Sequence, residues 1–204
     1  MFTGIVQAVG TIAAATPKGD GLRLVIEPGT LPVADVAIGD SIAVSGCCLT
    51  VVAKEGDGAA ARLGFDVSAE TLRCTAGLDG RAPVNLEKAL RLADRLGGHL
   101  MTGHVDGVGS VVAFAPVAAA GPDDGSWRLE IDVPAELARF VAAKGSIAVQ
   151  GVSLTVNGVA GARFHVNLIP HTLVATTLAS LAPGAKVNLE VDLVARYVAR
   201  LHEA

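Results

Sequence analysis

Two adjacent cysteines stand in Gly46-Cys47-Cys48-Leu49-Thr50-Val51, and the same frame returns as Gly151-Val152-Ser153-Leu154-Thr155-Val156. Side chains alternate across a strand, so Cys47, Leu49 and Val51 share an apolar face while Cys48 and Thr50 share a small polar one. In the second copy Val152, Leu154 and Val156 take the apolar side, and Ser153 and Thr155 the polar side. A polar strand face can simply be wet. Its recurrence directly after a glycine, which permits close backbone approach, favours a surface that faces a ligand. Cys48 is then a candidate nucleophile or proton-transfer group and Cys47 a core residue. A lone cysteine is more often inert filler, because reactivity needs surroundings that favour the thiolate.

The doubling extends along the chain. Thr3-Gly4-Ile5-Val6-Gln7-Ala8-Val9-Gly10 matches Thr102-Gly103-His104-Val105-Asp106-Gly107-Val108-Gly109, Glu70-Thr71-Leu72 matches His171-Thr172-Leu173, and Val84-Asn85-Leu86-Glu87 matches Val187-Asn188-Leu189-Glu190. Two copies of one pocket suit two similar molecules, and chemistry can reside where the copies differ. At aligned positions His104 replaces Ile5, Lys144 replaces Gly39, His171 replaces Glu70 and Asp192 replaces Ala89. Imidazole is the side chain best poised for proton transfer near neutral pH. Each change also has a plain alternative: Lys144 complements a helix dipole, His171 sits in a solvated turn, and Asp192 caps the last helix. His99 and His104 are not on one helical face and no Glu follows in the zincin pattern, so a metal site is a weak reading. Gly107-Val108-Gly109 lacks the third glycine of a dinucleotide fingerprint.

The elements that must carry these residues are short strands bounded by Gly and Pro, among them Leu22–Ile26, Ser41–Val44, Cys48–Ala53 and Ala61–Val67. Several such strands in each half of a 204-residue chain predict an all-β fold of two small antiparallel barrels. Pro134–Lys144 has a helix start and Gly145 a stop, which predicts a short helix there. Leu86–Leu96, closed by Gly97-Gly98, reads as the connection between repeats, with Leu86, Ala89, Leu90, Ala93 and Leu96 on one helical face, though its first residues also suit a strand. Gly121-Pro122-Asp123-Asp124-Gly125 and Lys54-Glu55-Gly56-Asp57-Gly58 are loops by composition. The tail is amphipathic, with Leu193, Tyr197 and Leu201 four apart beside Val194 and Val198. Such a helix either packs on its own barrel or associates with copies of itself.

Composition excludes several classes. Hydrophobic residues make up 51% of the chain, but charged residues, Gly or Pro interrupt every stretch well before the ~18 apolar residues of a membrane span. The small-residue run Ala13-Ala14-Ala15 is not read as a signal-peptide cleavage site, because no Lys or Arg precedes Lys18. A net charge of −4 with five Phe, one Tyr and one Trp leaves neither a basic stripe nor stacking surface for nucleic acid. Three cysteines without framework or zinc spacing fit reduced thiols in the cytoplasm.

In the motifs MFTGIV, GCCLTVV, FDVSAETLRCT, VNLEKAL, GGHLMTGHVDGVG, GVSLTV, NLIPHTL and VNLEVDLVARYV, in this order, the chain resembles the riboflavin synthase family. The resemblance covers nearly the whole length. It implies two six-stranded antiparallel Greek-key barrels over 1–97 and 98–191, and a helix over 192–204 that assembles a homotrimer. The implied reaction exchanges a four-carbon unit between two molecules of 6,7-dimethyl-8-ribityllumazine, giving riboflavin and 5-amino-6-ribitylamino-uracil. No cofactor or metal is implied, and association with lumazine synthase stays open. The first pocket would use Gly4, Ile5 and Val6, then Cys48, Leu49 and Thr50, then Asp66, Val67, Ser68, Ala69, Glu70 and Thr71, with Gly103, His104 and Val105 close by. The second would use Ser153, Leu154 and Thr155 with Ile169, Pro170, His171, Thr172, Leu173 and Val174, and Lys144 reaching in. Ser41, Cys48, His104 and Asp192 match the family's catalytic positions, joined by Lys144, Ser153 and Thr155 as proton-handling candidates. His104 is the expected base at the acidic 7-methyl group. Cys48, Ser41 or a water would assist addition, and Asp192, Thr155 and Lys144 would handle charge and proton relay. Ser45 and Gln150 stand where the family commonly carries other residues, which bears on local loop geometry. Lumazine proteins, which bind the chromophore without turning it over, are the rival reading. They typically lose the catalytic His and the acidic residue before the last helix, both present here. A flavin-reductase barrel is disfavoured, since the one tyrosine, Tyr197, lies in the tail.

Overall fold

The computed structural model describes residues 1–117 and 125–203. Of the loops expected from composition, residues 121–124 lie outside that range. Twelve strands close into two barrels. The first comprises β1 (Ala8–Lys18), β2 (Gly21–Glu27), β3 (Ser41–Val44), β4 (Cys47–Glu55), β5 (Arg62–Val67) and β6 (Pro83–Lys88), with α1 (Ala69–Cys74) between β5 and β6. The second repeats the pattern in β7 (Gly107–Pro116), β8 (Trp127–Asp132), β9 (Ser146–Val149), β10 (Val152–Ala160), β11 (Arg163–Leu168) and β12 (Lys186–Val191), with α2 (Pro170–Ala175) before β12 and α3 (Leu193–His202) after it. The spatial order β1-β2-β5-β4-β3-β6 recurs strand for strand in the second barrel. Closure leaves no free edges.

Corresponding irregularities bend both sheets. Register slips between Ile12 and Ala14 and between Val51 and Ala53, and again between Val111 and Ala113 and between Val156 and Gly158. Bulges of this kind sharpen strand twist at a barrel's corners. The cores are separate: Ile12, Leu24, Ile42, Val51 and Phe65 are buried in the first barrel, and Leu129, Ile147, Val156, Phe164 and Leu189 in the second.

The seam between the barrels explains the repeated Val-Asn-Leu-Glu. In β6 and β12 the apolar members, Val84 and Leu86, Val187 and Leu189, face the cores, whereas Asn85, Glu87, Asn188 and Glu190 face outward and are nevertheless buried. The Asn85 amide donates to Gln150 O at 2.8 Å and accepts from Thr177 N at 2.8 Å. Asn188 mirrors it, donating to Ser45 O at 3.1 Å and accepting from Ala76 N at 2.7 Å. Ser45 and Gln150, the two family departures, occupy left-handed φ values of 44° and 50°, each followed by a glycine at positive φ, Gly46 and Gly151. Two successive positive φ values make the tight hairpin turn that suits sheet twist. The two turns meet back to back, since a Cβ on Gly46 would stand 2.8 Å from Gly151 N.

Two helix expectations fail. Pro134–Lys144 forms only a single 3-10 turn at Ala138–Phe140, because Val141 is extended and Lys144 N–H donates across to Val156 O in place of a carbonyl four residues back. Leu86–Leu96 forms no helix: β6 runs to Lys88, Leu86 belongs to the core, and Leu92 stands fully exposed in the turn that follows. The terminal helix is present. Asp192 caps it by accepting from Val194 N at 2.9 Å, and Asp106 ties it down through Val191 N at 2.8 Å and the Arg196 guanidinium at 2.5 Å. Its apolar stripe of Val194, Tyr197, Val198 and Leu201 is exposed.

Candidate active site

The alternation expected for the paired strands is present. Cys47, Leu49 and Val51 are buried, Cys48 is half-buried and Thr50 exposed; Val152, Leu154 and Val156 are buried, Ser153 half-buried and Thr155 exposed. Burial pushes the Cys47 thiol up to about 12, so it stays protonated at neutral pH. Leu49, Leu154 and Val67 point into the cores and offer a ligand only backbone. Ser41 is the strand partner of Thr50. Its equivalent, Ser146, is the partner of Thr155, a pairing also legible in the recurring Ser-Ile-Ala-Val at 41 and 146.

The segments that open each repeat are exchanged between the barrels. Cys48 N–H donates to Gly103 O at 2.7 Å and Ser153 N–H to Gly4 O at 2.8 Å. Val105 packs against the first core and Val6 against the second. Gly4 therefore lies beside Ser153 and Val6 on the second core, while Ile5 borders the cavity beside Ser41 of the first barrel. Gly103-His104-Val105 is the wall beside Cys48. Glycine is required at both crossings: φ is 76° at Gly4 and 77° at Gly103, and a Cβ would stand 2.6 Å from the Ser153 and Cys48 Cβ atoms respectively. Ile5 and His104, at equivalent positions, are both exposed.

Each exchanged segment is held by a buried carboxylate. Glu87 accepts from Thr3 N and Thr3 Oγ1, both at 2.7 Å, and from Gly4 N at 2.9 Å. Glu190 accepts from Thr102 N at 2.6 Å, Thr102 Oγ1 at 2.7 Å and Gly103 N at 2.9 Å. Burial raises both carboxyl groups above the ordinary range, against the lowering effect of these hydrogen bonds.

The structure divides the expected residues into two sets. Ser41, Cys48, Thr50 and Gly103-His104-Val105 gather at the first barrel. There the α1 segment follows β5, with Ser68 accepting from Thr71 N at 3.2 Å, Ala69 exposed, Leu72 against the core, and Glu70 paired with Arg73 at 2.5 Å. The Asp66 carboxylate is taken by Arg23 at 2.5 Å and Lys18 at 2.7 Å, which hold it down to about 2. At the second barrel Ser153 lies beside Gly4, Thr155 shares the strand face of Ser153, Val6 packs on the core, and the α2 segment follows β11, while Ile5 borders the cavity beside Ser41. In that segment Pro170 opens the helix, Ile169, His171 and Val174 are exposed, Thr172 is half-buried, and Leu173 packs inward. Lys144 N–H donates to Val156 O as Gly39 N–H does to Val51 O, both at 2.8 Å, which makes the two positions structurally equivalent. Lys144 keeps a left-handed φ of 67° there.

His99, a weak metal-ligand candidate by sequence, lies beside Ser153 in the second set. Its Nδ1 lies 2.7 Å from Ser153 Oγ, and Nε2 is buried without a hydrogen-bond partner among the described residues. Burial lowers its proton affinity, partly offset by the Asp192 charge. Nothing in the repeat could have flagged it, because His99 lies between the two copies. Among the described residues, no group of three or more His, Cys, Asp and Glu side chains could hold a metal ion. No described helix is long and apolar enough to cross a membrane. A cavity of about 580 Å³ opens beside Ser41, walled by Ile5, Gln7 and Lys88 and roofed by Leu90–Gly97, but takes in neither Cys48, Thr50 nor His104. The polar faces recur in both barrels, whereas this cavity is roofed by the connection between repeats.

The lumazine binding domain model matches twice, over residues 3–89 and 102–192. The chain is 46% identical to a riboflavin synthase of Photobacterium phosphoreum, over 98% of this chain and 88% of that one. It is 47% identical to one of Mycobacterium bovis, over 98% of both. Among solved structures, LumP complexed with 6,7-dimethyl-8-(1'-D-ribityl) lumazine superposes with a TM-score of 0.75 at 27% identity, over 94% of this chain and 99% of that one. LumP complexed with riboflavin gives a TM-score of 0.77 at the same identity and coverage. On two matched domains and these identities, the chain belongs to the lumazine-binding family, alongside the riboflavin synthases.

Proposed function

We propose that the chain is a riboflavin synthase, which takes two molecules of 6,7-dimethyl-8-ribityllumazine and exchanges a four-carbon unit between them, yielding riboflavin and 5-amino-6-ribitylamino-uracil. The observation that carries this reading is the pair of polar strand faces, Cys48/Thr50 and Ser153/Thr155, each walled by the opening segment of the other repeat. Matched faces suit two copies of one ligand. The unmatched groups, His104 against Ile5, Lys144 against Gly39, Cys48 against Ser153 and Asp192 against Ala89, suit unequal roles for the two molecules.

His104, exposed on the wall beside Cys48, removes a proton from the 7-methyl group of one lumazine, and the carbanion adds to the other molecule. Cys48 or Ser41 assists addition to the electron-poor ring, and Lys144, Thr155 and Asp192 relay protons and charge during elimination. One molecule gives up the four carbons that the other gains, so the dismutation balances without an added oxidant or cofactor. Residues 1–97 and 98–191 each bind one lumazine through the residues named above. The helix of 192–204 assembles a homotrimer through its exposed Val194, Tyr197, Val198 and Leu201, so that a first barrel faces a neighbour's second barrel. Holding both reactants in place supplies the proximity that otherwise costs entropy. Three free cysteines accord with a cytoplasmic setting. The test is His104→Ala: turnover should fall by about a hundredfold or more, the usual scale of general base catalysis, with altered pH dependence. Full turnover with an unchanged profile would remove His104 from the role.

The second reading is a binding protein without turnover, favoured by the superposition on LumP. It predicts a stable fluorescent lumazine complex from which no riboflavin appears.

A further inference from the structure

We propose that Glu87 and Glu190 are positioning residues with crossed duties: Glu87, in the first barrel, sets the wall of the second barrel's pocket, and Glu190, in the second, sets the wall of the first. The inference rests on the reading of the two polar strand faces as lumazine sites. Three donors converge on each carboxylate, two backbone N–H groups and one threonine hydroxyl. Only an acceptor with no hydrogen of its own can satisfy all three, which is what an ionised carboxylate is and what an amide is not. The threonine oxygens pass the order on, since Thr3 Oγ1 accepts from Ile5 N at 3.1 Å and Thr102 Oγ1 from His104 N at 3.3 Å. Each clamped glycine then offers its carbonyl to the opposite barrel, Gly4 to Ser153 and Gly103 to Cys48.

Thr3 and Glu87 also border the cavity beside Ser41, but the hydrogen bonds of each relay end on the opposite barrel. Glu87 acts through Thr3 and Gly4 on Ser153, and Glu190 through Thr102 and Gly103 on Cys48 and His104. A carboxylate serving only the fold has no reason to discriminate between pockets. A positioning role does, and the discrimination is what can be measured.

The experiment uses the full-length chain carrying Glu87→Gln or Glu190→Gln, with amide hydrogen exchange resolved at Cys48 and Ser153. It also follows alkylation of Cys48 by peptide mapping, with and without 6,7-dimethyl-8-ribityllumazine. In Glu190→Gln the Cys48 amide should exchange about tenfold faster or more, as expected for loss of one hydrogen bond and a new donor facing Gly103 N. The Ser153 amide should keep its rate, and lumazine should no longer protect the Cys48 thiol. In Glu87→Gln the Ser153 amide should accelerate while Cys48 keeps both its exchange rate and its protection. Thr102→Val and Thr3→Val, which remove one donor each, should show the same crossing more weakly and stand in if a Gln variant does not fold. Thr102→Ser and Thr3→Ser, which keep the hydroxyl, should behave as the unaltered chain. Acceleration in the carboxylate's own barrel, or in both barrels equally, would overturn the proposal. Failure of lumazine to protect Cys48 in the unaltered chain would instead overturn the pocket reading on which it rests.

Discussion

Replacing Asn85 by Ala removes the side chain that joins β6 to the opposite barrel. Its amide supplies a donor to Gln150 O and an acceptor to Thr177 N, both at 2.8 Å, in surroundings that leave Asn85 only 2% exposed. Alanine leaves one carbonyl and one N–H without partners, and each orphaned buried group costs about 1–3 kcal/mol. The turns on either side are fixed by paired positive φ values, so the two groups together give an expected total of about 2–6 kcal/mol. That is a large part of the ~5–15 kcal/mol by which a domain is ordinarily stable. Chemical denaturation should show the midpoint falling, and a split into two transitions if the barrels uncouple before either unfolds. Asn188→Ala, whose side chain makes the mirrored bonds to Ser45 and Ala76, should fall by a similar amount. A loss below about 0.5 kcal/mol in both variants, the scale of an ordinary surface change, would refute the claim that these amides hold the barrels together.

Other outcomes follow from single contacts. His99 has a proton affinity lowered from the usual 6.5, so below that pH the unfolded chain takes up a proton that the native chain refuses, and stability falls with pH by up to about 1.4 kcal/mol per unit. His99→Gln, which can keep the bond to Ser153, should flatten that decline below about pH 6.5 in denaturation curves; an unchanged slope would contradict the buried neutral imidazole. Lys144→Gly should lose turnover with no loss of stability, or a gain of up to about 1 kcal/mol, because the left-handed backbone there suits glycine, as at Gly39. A destabilised variant would show that the lysine is held by contacts beyond its backbone. Asp106→Ala should free the last helix by removing the acceptor for both Val191 N and Arg196. Limited proteolysis after Asp192 should accelerate, and if the helix assembles the trimer, light scattering should show smaller particles.

Much of this was legible in the sequence because duplication doubles every signal. Gly-Cys-Cys-Leu-Thr-Val against Gly-Val-Ser-Leu-Thr-Val located β4 and β10 and the direction of each side chain. The alignment of Gly39 with Lys144 was a structural equivalence, visible now in their matching bonds to Val51 and Val156. The exchange of opening segments was not legible, since Thr3-Gly4 and Thr102-Gly103 look alike wherever they go, and only tertiary hydrogen bonds decide which barrel each wall serves. Glu87 and Glu190 appeared as matched letters on a strand; that they are buried on the outward face depends on the second barrel covering them. The helices expected at Pro134–Lys144 and Leu86–Leu96 were local patterns overruled by packing. Lys144 N–H bonds across to Val156 O in place of a helical carbonyl, and Leu86 was already committed to the first core. His99 lay between the copies, where comparison of the repeats offers no partner.

The central claim is that two matched sites with unmatched proton inventories turn lumazine over. Incubating the purified chain with 6,7-dimethyl-8-ribityllumazine alone, with no cofactor added, tests it most directly. One riboflavin and one 5-amino-6-ribitylamino-uracil should form for every two lumazines consumed, followed by absorbance and chromatography. A stable fluorescent complex with the lumazine intact and no riboflavin formed would contradict it.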